Sequence, residues 1–273
     1  MTPTRLPPDV TPFVCELVDV TRAVLGEDLV GLWAVGSLAT GDARGPGSDV
    51  DVLVAIRTAL GQPRRNALGV AVVELGRRCP WAGVEYVVYR TDVLAAAAYP
   101  LVYEVNINAG PTRDTVVRSA GDPPHWFLLD VAMARESALA LVGPAAREVI
   151  GRPSRTDVLR ALSDSLRWHG SNEATSPSGV LNACRALCWV STGSWRSKTG
   201  AGRWALERAP ADADLPTEAV AAITAALAAR TGEGSAPPAP AAGARVLTAA
   251  VLERTRRALV EEQDPGRPPR GRM

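Results

Sequence analysis

The segment from Gly36 to Asp51 constrains this chain more than any other feature. Gly36-Ser37 is followed by eleven loop residues and then by Asp49-Val50-Asp51, with an apolar run on either side. Successive side chains of a strand point to opposite faces, so Asp49 and Asp51 point the same way. Paired carboxylates repel each other unless a cation lies between them, and they suit Mg²⁺, which also binds substrate phosphates. A Gly-Ser turn can bring backbone N–H groups close to a phosphate. The segment therefore predicts a combined metal and nucleotide site.

A third carboxylate, Glu85, interrupts the apolar run from Val84 to Val88. A carboxylate on a buried strand is costly unless it is paired or functional. The simpler interpretation is a solvent-facing glutamate on an edge strand. In the same way, the Asp pair alone is compatible with a loop-to-strand cap, and Gly-Ser alone with an ordinary turn.

Composition narrows the class of protein. The 273 residues allow one or two domains, and 47% apolar content is ordinary for a globular chain. The net charge of +1 argues against a bulk nucleic-acid binder. The sequence contains no run of eighteen apolar residues, so no membrane span is expected. Residues 1–10 lack the cationic start and apolar core of a secretory signal. Four scattered cysteines fit a reduced cytoplasm.

The apolar patterns predict a mixed α/β sheet in the first half of the chain and helices alone in the second. The metal carboxylates are expected on central strands. The strands are predicted at 28–35, 49–56, 83–89 and 101–108. The helices are predicted at 13–25, 63–79, 126–141, 154–168, 179–191, 203–208, 218–230 and 244–262, with a flexible connection at 232–243.

The ordered motifs resemble the aminoglycoside nucleotidyltransferase family, in particular its streptomycin/spectinomycin adenylyltransferase branch, within the DNA polymerase beta-like superfamily. Gly-Ser, a spacer and Ser-Asp-x-Asp are followed by the strand of Glu85, which is similar to the one that carries the family's third carboxylate. Arg185 and Lys198 fall where the family places two phosphate-binding cations. The resemblance covers roughly residues 15 to 208, and an ordered set is far more specific than one motif.

The resemblance implies a fold, a cofactor and a role for each residue. It implies an α/β (α+β) nucleotidyltransferase domain with a mixed sheet at 1–152 and an all-α helical domain at 153–262. The polar composition of residues 263–273, rich in Pro, Gly and Arg, separately predicts a disordered tail. Asp49 and Asp51 are expected to hold Mg²⁺, and Glu85 is expected to be the catalytic general base. The residues implied for the nucleotide, ATP, are Gly36, Ser37, Ser48, Arg185 and Lys198. Lys198 is the only lysine of the chain.

For the acceptor, the resemblance points to Trp168 and Glu173, at positions where the family has a Trp and an Asp. Two departures resemble the spectinomycin-only members. The family's first-domain Trp that stacks on streptomycin has no counterpart near Tyr103, and a further acid linked to streptomycin is replaced by Thr175. The simpler interpretation of Trp168 is a core aromatic, and that of Arg185 and Lys198 is solvated surface.

The resulting hypothesis is a monomeric, cytoplasmic enzyme that transfers AMP from ATP to a hydroxyl of an aminocyclitol or aminoglycoside antibiotic. A spectinomycin-like acceptor is favoured over streptomycin, and the expected role is antibiotic resistance. Neither a nucleic acid nor a membrane is expected as a partner. Two alternatives stay open: a nucleotidyltransferase for a protein or another small molecule, and a non-catalytic nucleotide-binding sensor.

Overall fold

The structure, a computed structural model, describes residues 6–212, 215–232 and 239–263. The chain is divided into two compact units, and the boundary in the sequence falls between Pro153 and Ser154. Residues 264–273, almost the whole of the expected disordered tail, lie outside the described residues, as does the centre of the expected flexible connection. Each unit is described by itself below.

The first unit is built on one mixed six-stranded sheet with the strand order β5-β4-β3-β2-β1-β6. Its strands are β1 (Leu29–Ala34), β2 (Asp49–Ile56), β3 (Gly83–Arg90), β4 (Val105–Gly110), β5 (Arg113–Arg118) and β6 (Leu139–Val142). Strands β2 and β3 are parallel, and all the other neighbours are antiparallel. Both β2 and β3 are interior, so the expectation of carboxylates on central strands is confirmed.

Six α-helices complete the described part of the first unit. They are α1 (Thr11–Leu25), α2 (Gly36–Thr40), α3 (Gln62–Gly76), α4 (Thr91–Ala96), α5 (Pro124–Ser137) and α6 (Ala146–Val149). One apolar core lies between one face of the sheet and the helices α1 and α3. Alternate residues of β2, such as Val50 and Val52, pack there with Leu17 of α1 and Val72 of α3. Alternation then places the polar residues of β2 on the opposite face.

The structure corrects two sequence-based boundaries in this unit and adds one strand. The helix predicted at 126–141 ends at Ser137, and Leu139–Val142 instead forms β6 along the free edge of β1. The apolar spacing typical of a helix continues through Leu139. The segment Leu139–Val142 nevertheless pairs with β1, because this pairing satisfies its backbone N–H and C=O groups. Strand β4 begins at Val105 rather than at residue 101. Strand β5 was not predicted, because its exposed, charged residues carry no apolar alternation.

The described residues of the second unit form α-helices, apart from a short 3₁₀ turn at Ala209–Ala211 and the connections. The helices are α7 (Arg155–Asn172), α8 (Pro177–Thr192), α9 (Lys198–Arg208), α10 (Thr217–Thr231) and α11 (Ala241–Glu262). Serine side chains at 154, 176 and 197 cap the first three by accepting a backbone N–H three residues later. Because Ser197 caps α9, this helix begins five residues before the predicted position, and Lys198 is its first residue.

A mixed sheet followed by a helical region confirms the predicted fold class. The start of α11 at Ala241 corrects the end of the expected flexible connection, which was placed at residue 243. None of the described helices combines the length and apolar character needed to cross a membrane. All four cysteines are free thiols, and three of them are buried.

Candidate functional site

Asp49 and Asp51 lie at the start of β2, on the face of the sheet opposite the apolar core. Both are partly buried, whereas Val50 between them is fully buried. The strand is held in place on both sides, by antiparallel pairing with β1 and parallel pairing with β3. The two carboxylates therefore extend from a rigid support, as the sequence predicted.

Glu85 lies directly beside Asp51. The parallel register of β2 and β3 pairs the Cα atoms of these two residues, so their side chains share one face. Glu85 is partly buried and its strand lies between β2 and β4. The alternative of a glutamate on an edge strand is therefore wrong. Three acidic side chains, from Asp49, Asp51 and Glu85, occupy one face of two neighbouring strands.

Gly36 brings the end of β1 against this acidic group. The backbone N–H of Val35 donates to the carbonyl of Asp51 at 2.9 Å, and Gly36 follows with a positive φ of 60°. A Cβ atom at this position would lie only 1.9 Å from Oδ2 of Asp51. Glycine is thus required here both for its backbone conformation and for the space that the carboxylate occupies.

The two serines of the motif have different surroundings. Ser37 follows Gly36 in the short helix α2 and is partly exposed. Ser48 is buried, and its Oγ accepts the backbone N–H of Arg44 at 2.8 Å. Ser48 therefore closes the loop that precedes Asp49. This hydrogen bond does not use the hydroxyl hydrogen of Ser48. The predicted contact between Ser48 and a phosphate stays a prediction.

The residues present fit a magnesium ion. Among residues 6–212, 215–232 and 239–263, no three His, Cys, Asp or Glu side chains form a ready-made metal cage. Mg²⁺ does not need one, because one or two carboxylates usually hold it together with substrate phosphates and waters. Asp49 and Asp51 supply this donor set, and Gly36 leaves the space in which one of the carboxylates lies.

Arg113 is a site residue that sequence analysis missed. Its Nε donates to Oδ1 of Asp49 at 2.8 Å, and its Nη2 donates to Oδ2 at 2.5 Å. The pKa of Arg113 is raised, mainly by these hydrogen bonds and further by the charges of Asp49, Glu85 and Asp51, against the opposing effect of burial. The turn signal at Gly110-Pro111 could have indicated β5. Nothing in the sequence links Arg113 to a residue 64 positions earlier.

A polar row continues from Glu85 across the sheet. Asn108 is the antiparallel partner of Glu85, and its Nδ2 donates to Oδ1 of Asn106 at 3.0 Å. Asp122 accepts from Nδ2 of Asn106 at 3.1 Å and from the hydroxyl of Tyr103 at 2.6 Å. The ring of Tyr103 packs on Phe127 with centroids 4.3 Å apart. Tyr103, which lies near the position of the family's first-domain Trp, thus takes part in the packing of the first unit.

In the second unit, the predicted acceptor residues lie at the end of α7. Trp168 is partly buried, and its ring meets that of His169 edge-on at a centroid distance of 4.9 Å. Glu173 follows the last residue of α7 and lies 3.2 Å from Nδ1 of His169. His169 therefore orients the predicted acceptor carboxylate.

His169 also connects the predicted acceptor residues to a predicted phosphate residue. Its Nε2 lies 2.9 Å from Nδ2 of Asn182, and Oδ1 of Asn182 accepts from Nη1 of Arg185 at 3.2 Å. An amide nitrogen only donates, so Nε2 accepts and the proton is on Nδ1, facing Glu173. The structure therefore brings Glu173 and Arg185 into one hydrogen-bonded chain.

Burial lowers the pKa of His169, and the charges of Lys198 and Arg185 lower it further, while Glu173 acts in the opposite direction. Lys198 itself donates from Nζ to Oγ of Ser178 at 3.4 Å. The lysine therefore lies at the first turn of α9 and contacts α8, the helix that carries Arg185. The structure gathers both predicted phosphate cations in one region of the second unit.

The chain is similar in sequence to proteins named adenylyltransferases. A family model described as "Aminoglycoside adenylyltransferase, C-terminal domain" matches residues 148–254. An aminoglycoside (3'') (9) adenylyltransferase of Escherichia coli is 28% identical over 214 residues, which cover 74% of this chain and 80% of that protein. A spectinomycin 9-adenylyltransferase of Staphylococcus aureus is 25% identical over 204 residues, which cover 71% and 77%.

The fold also has a solved counterpart. The crystal structure of spectinomycin adenyltransferase AAD(9) from Enterococcus faecialis, with ATP and spectinomycin, matches with a TM-score of 0.70 at 17% identity, covering 90% of this chain and 99% of that one. At this identity the likeness shows the fold. Together these findings confirm the predicted resemblance: the chain is similar to the aminoglycoside nucleotidyltransferases, in their streptomycin/spectinomycin adenylyltransferase branch.

Proposed function

We propose that this protein transfers AMP from ATP to a hydroxyl of an aminocyclitol or aminoglycoside antibiotic, with a spectinomycin-like acceptor favoured over streptomycin, and so confers resistance. One observation supports the chemistry above all others: Asp49, Asp51 and Glu85 share one face of two neighbouring strands, with Asp51 and Glu85 in register. The relatives named adenylyltransferases support the same reaction.

Glu85 is the proposed general base. In nucleotidyl transfer, the acceptor oxygen forms a bond to the α-phosphorus of ATP while the bond to the departing pyrophosphate breaks. The proton of the attacking hydroxyl passes to the carboxylate of Glu85. A base on an interior strand keeps a fixed position, and general-base catalysis depends on that position before it depends on pKa.

Asp49 and Asp51 are the proposed ligands of Mg²⁺. When bound, the ion supplies neutralisation of phosphate charge. Gly36 and Ser37, with Ser48, are proposed to contact the triphosphate from the first unit. Arg185 and Lys198 are proposed to supply cations for the phosphates from the second unit, where Arg185 contacts Asn182 and Lys198 contacts Ser178.

The acceptor is proposed to be a cation, because Glu173 offers it a carboxylate. His169 and Ser176 orient this side chain: Nδ1 of His169 lies 3.2 Å from Oε2, and Oγ of Ser176 donates to the same oxygen at 3.4 Å. Trp168 supplies a partly exposed apolar surface next to the ring of His169. Thr175 is exposed and carries no charge, which supports spectinomycin over streptomycin.

The proposed setting is a monomer in the cytoplasm, acting on a small molecule rather than on a nucleic acid or a membrane. The four free thiols support a reducing compartment.

Substitution of the aspartate pair tests the proposed function. ATP turnover is expected in the native enzyme with spectinomycin and should be lost in Asp49→Ala and in Asp51→Ala, provided both variants stay folded by circular dichroism. Turnover that survives both substitutions would rule out the proposed site. Nucleotide binding without any pyrophosphate release, across a broad panel of acceptors, would favour a sensor.

A further inference from the structure

The guanidinium of Arg113 occupies both oxygens of Asp49, one of the two proposed metal ligands. The contact is bidentate, with the 2.8 Å and 2.5 Å hydrogen bonds given above. Paired N–H groups of a guanidinium match the two oxygens of a carboxylate, which makes this geometry specific as well as attractive. Any ion that binds Asp49 must therefore share the carboxylate with Arg113 or displace it.

The sheet is shaped to admit this side chain. A cross-strand row runs from Asp49 on β2 through Gly83 on β3 and Gly110 on β4 to Arg113 on β5. Both intervening positions are glycine. A Cβ atom at Gly83 would lie 2.8 Å from Cγ of Arg113, so the stem of the arginine lies over the bare backbone of that glycine. Glycine inside a strand often marks such a close approach.

The same guanidinium faces all three acidic side chains. Besides its hydrogen bonds to Asp49, the charges of Glu85 and Asp51 also act on it. Three carboxylates on one face would repel one another, and a positive charge among them offsets that repulsion. Arg113 therefore supplies the counter-charge that a divalent ion also supplies.

The contact is also of a kind that can be released. The side chain of Arg113 is 50% exposed, that of Asp49 is 26% exposed, and β5 is an edge strand of the sheet. Ion pairs open to solvent contribute little to stability, because water and salt screen the attraction between the two charges. A divalent ion carries twice the charge of the guanidinium and competes for the same oxygens.

We propose that Arg113 is a displaceable counter-ion of the acidic group, which keeps Asp49 and Asp51 in place and competes with the divalent cation, so that it sets the affinity of the site for metal. This inference rests on the proposed function, because it takes Asp49 and Asp51 as the metal ligands. Arg113 acts through Asp49 and is a positioning residue.

Titration of the full-length protein with Mn²⁺, followed by the electron paramagnetic resonance signal of the free ion, tests the proposal without any turnover. Arg113→Gln should bind Mn²⁺ roughly 5- to 20-fold more tightly than the native protein, because one competing positive charge is gone. Arg113→Lys keeps the charge and should stay close to the native affinity. Without metal, Arg113→Gln should melt at a lower temperature than the native protein. Added Mn²⁺ should raise its melting temperature by more than it raises that of the native protein.

Arg118→Gln is the matched control. Arg118 lies on the same strand and pairs with Asp122 at 2.7 Å rather than with the acidic group. It should leave Mn²⁺ affinity unchanged. A folded Arg113→Gln protein with native or weaker Mn²⁺ affinity would overturn the inference.

The double variant Asp49→Asn, Asp51→Asn separates the two claims. If Mn²⁺ binding is lost in this variant but is indifferent to Arg113→Gln, only the role of Arg113 fails. If the native protein and Arg113→Gln both fail to bind Mn²⁺, even with a non-hydrolysable ATP analogue, the proposed metal site fails too.

Discussion

The carboxylate of Asp51 lies against the α-carbon of Gly36, so closely that a Cβ atom on the glycine would be 1.9 Å from Oδ2. The two residues are held there by the hydrogen bond from the N–H of Val35 to the carbonyl of Asp51. The glycine of the Gly-Ser motif and the second aspartate of the Asp-x-Asp motif thus form one structural unit. The position of the Asp51 carboxylate accounts for the glycine at position 36.

Gly36→Ala should therefore damage the reaction far more than it damages the fold. The new methyl group must push the Asp51 carboxylate away, and a displaced ligand is expected to lower kcat/KM for AMP transfer by roughly 100-fold or more. Gly41→Ala is the matched control, because Gly41 has a similar positive φ of 70° and no atom within 4 Å of its added Cβ.

Both alanine variants should lose about 1 kcal/mol of unfolding free energy from the left-handed backbone alone. Only Gly36→Ala should lose the reaction. Similar activity in the two variants, measured as AMP transfer after their folding has been checked by thermal melting, would contradict the assigned role of Gly36.

Glu85→Gln should reduce kcat by roughly 10²- to 10⁴-fold, the range over which a positioned base usually contributes. An amide keeps the size of the side chain but cannot take a proton. ATP affinity, measured by calorimetry, should stay near the native value. Glu16→Gln removes a carboxylate from an exposed pair with Arg78 and should leave kcat unchanged. A Glu85→Gln enzyme with native kcat would require another base.

Lys198 is the only lysine in the sequence, so amine-reactive labelling reports on one side chain besides the N-terminus. If Nζ binds the phosphates of ATP, saturating ATP should slow acetylation of Lys198 several-fold, because a lysine engaged by an anion is less available. Peptide mass spectrometry measures the rate, and the N-terminal amine serves as the internal control. Equal labelling with and without bound ATP would exclude the contact.

His169 should make the second unit sensitive to acid. Its pKa lies below the ordinary value, chiefly through burial, so the unfolded chain binds the proton more tightly than the folded protein. The stability it contributes is present above the unfolded pKa of about 6.5 and is lost as the pH falls through the lower folded value. His169→Gln should therefore show a smaller loss of unfolding free energy between about pH 8 and about pH 5.5.

Urea unfolding at the two pH values measures this difference. Glu173, Lys198 and Arg185 are the charged groups that act on the ring, and all three remain in the variant. The same pH dependence in the native protein and in His169→Gln would show that the ring does not titrate in this range.

The acidic group could be predicted from the sequence because it depends on local rules. Alternation along β2 places Asp49 and Asp51 on one face, and an apolar run around Glu85 predicts a buried strand. The helical second half follows from equally local patterns. The fold class was confirmed for this reason, even though several element ends were displaced.

The contacts that were missed depend on the tertiary structure. Arg113 reaches Asp49 across two strands, over Gly83 and Gly110. These two glycines come together only when β3 and β4 are paired. β6 forms because its backbone groups pair with those on the edge of β1. The apolar spacing within residues 139–142 gives no sign of this pairing. His169 meets Asn182 only because α7 and α8 pack side by side. Single-sequence patterns do not encode such pairings.

The most direct test of the central claim is AMP transfer from ATP and Mg²⁺, followed as pyrophosphate release and by the mass of the antibiotic product, with spectinomycin and streptomycin assayed separately. Turnover with spectinomycin alone, lost in Glu85→Gln, is the expected result. Turnover with both would contradict the specificity drawn from Thr175 and Tyr103. No adenylylated product from either antibiotic, in a protein that binds ATP, would contradict the proposed function.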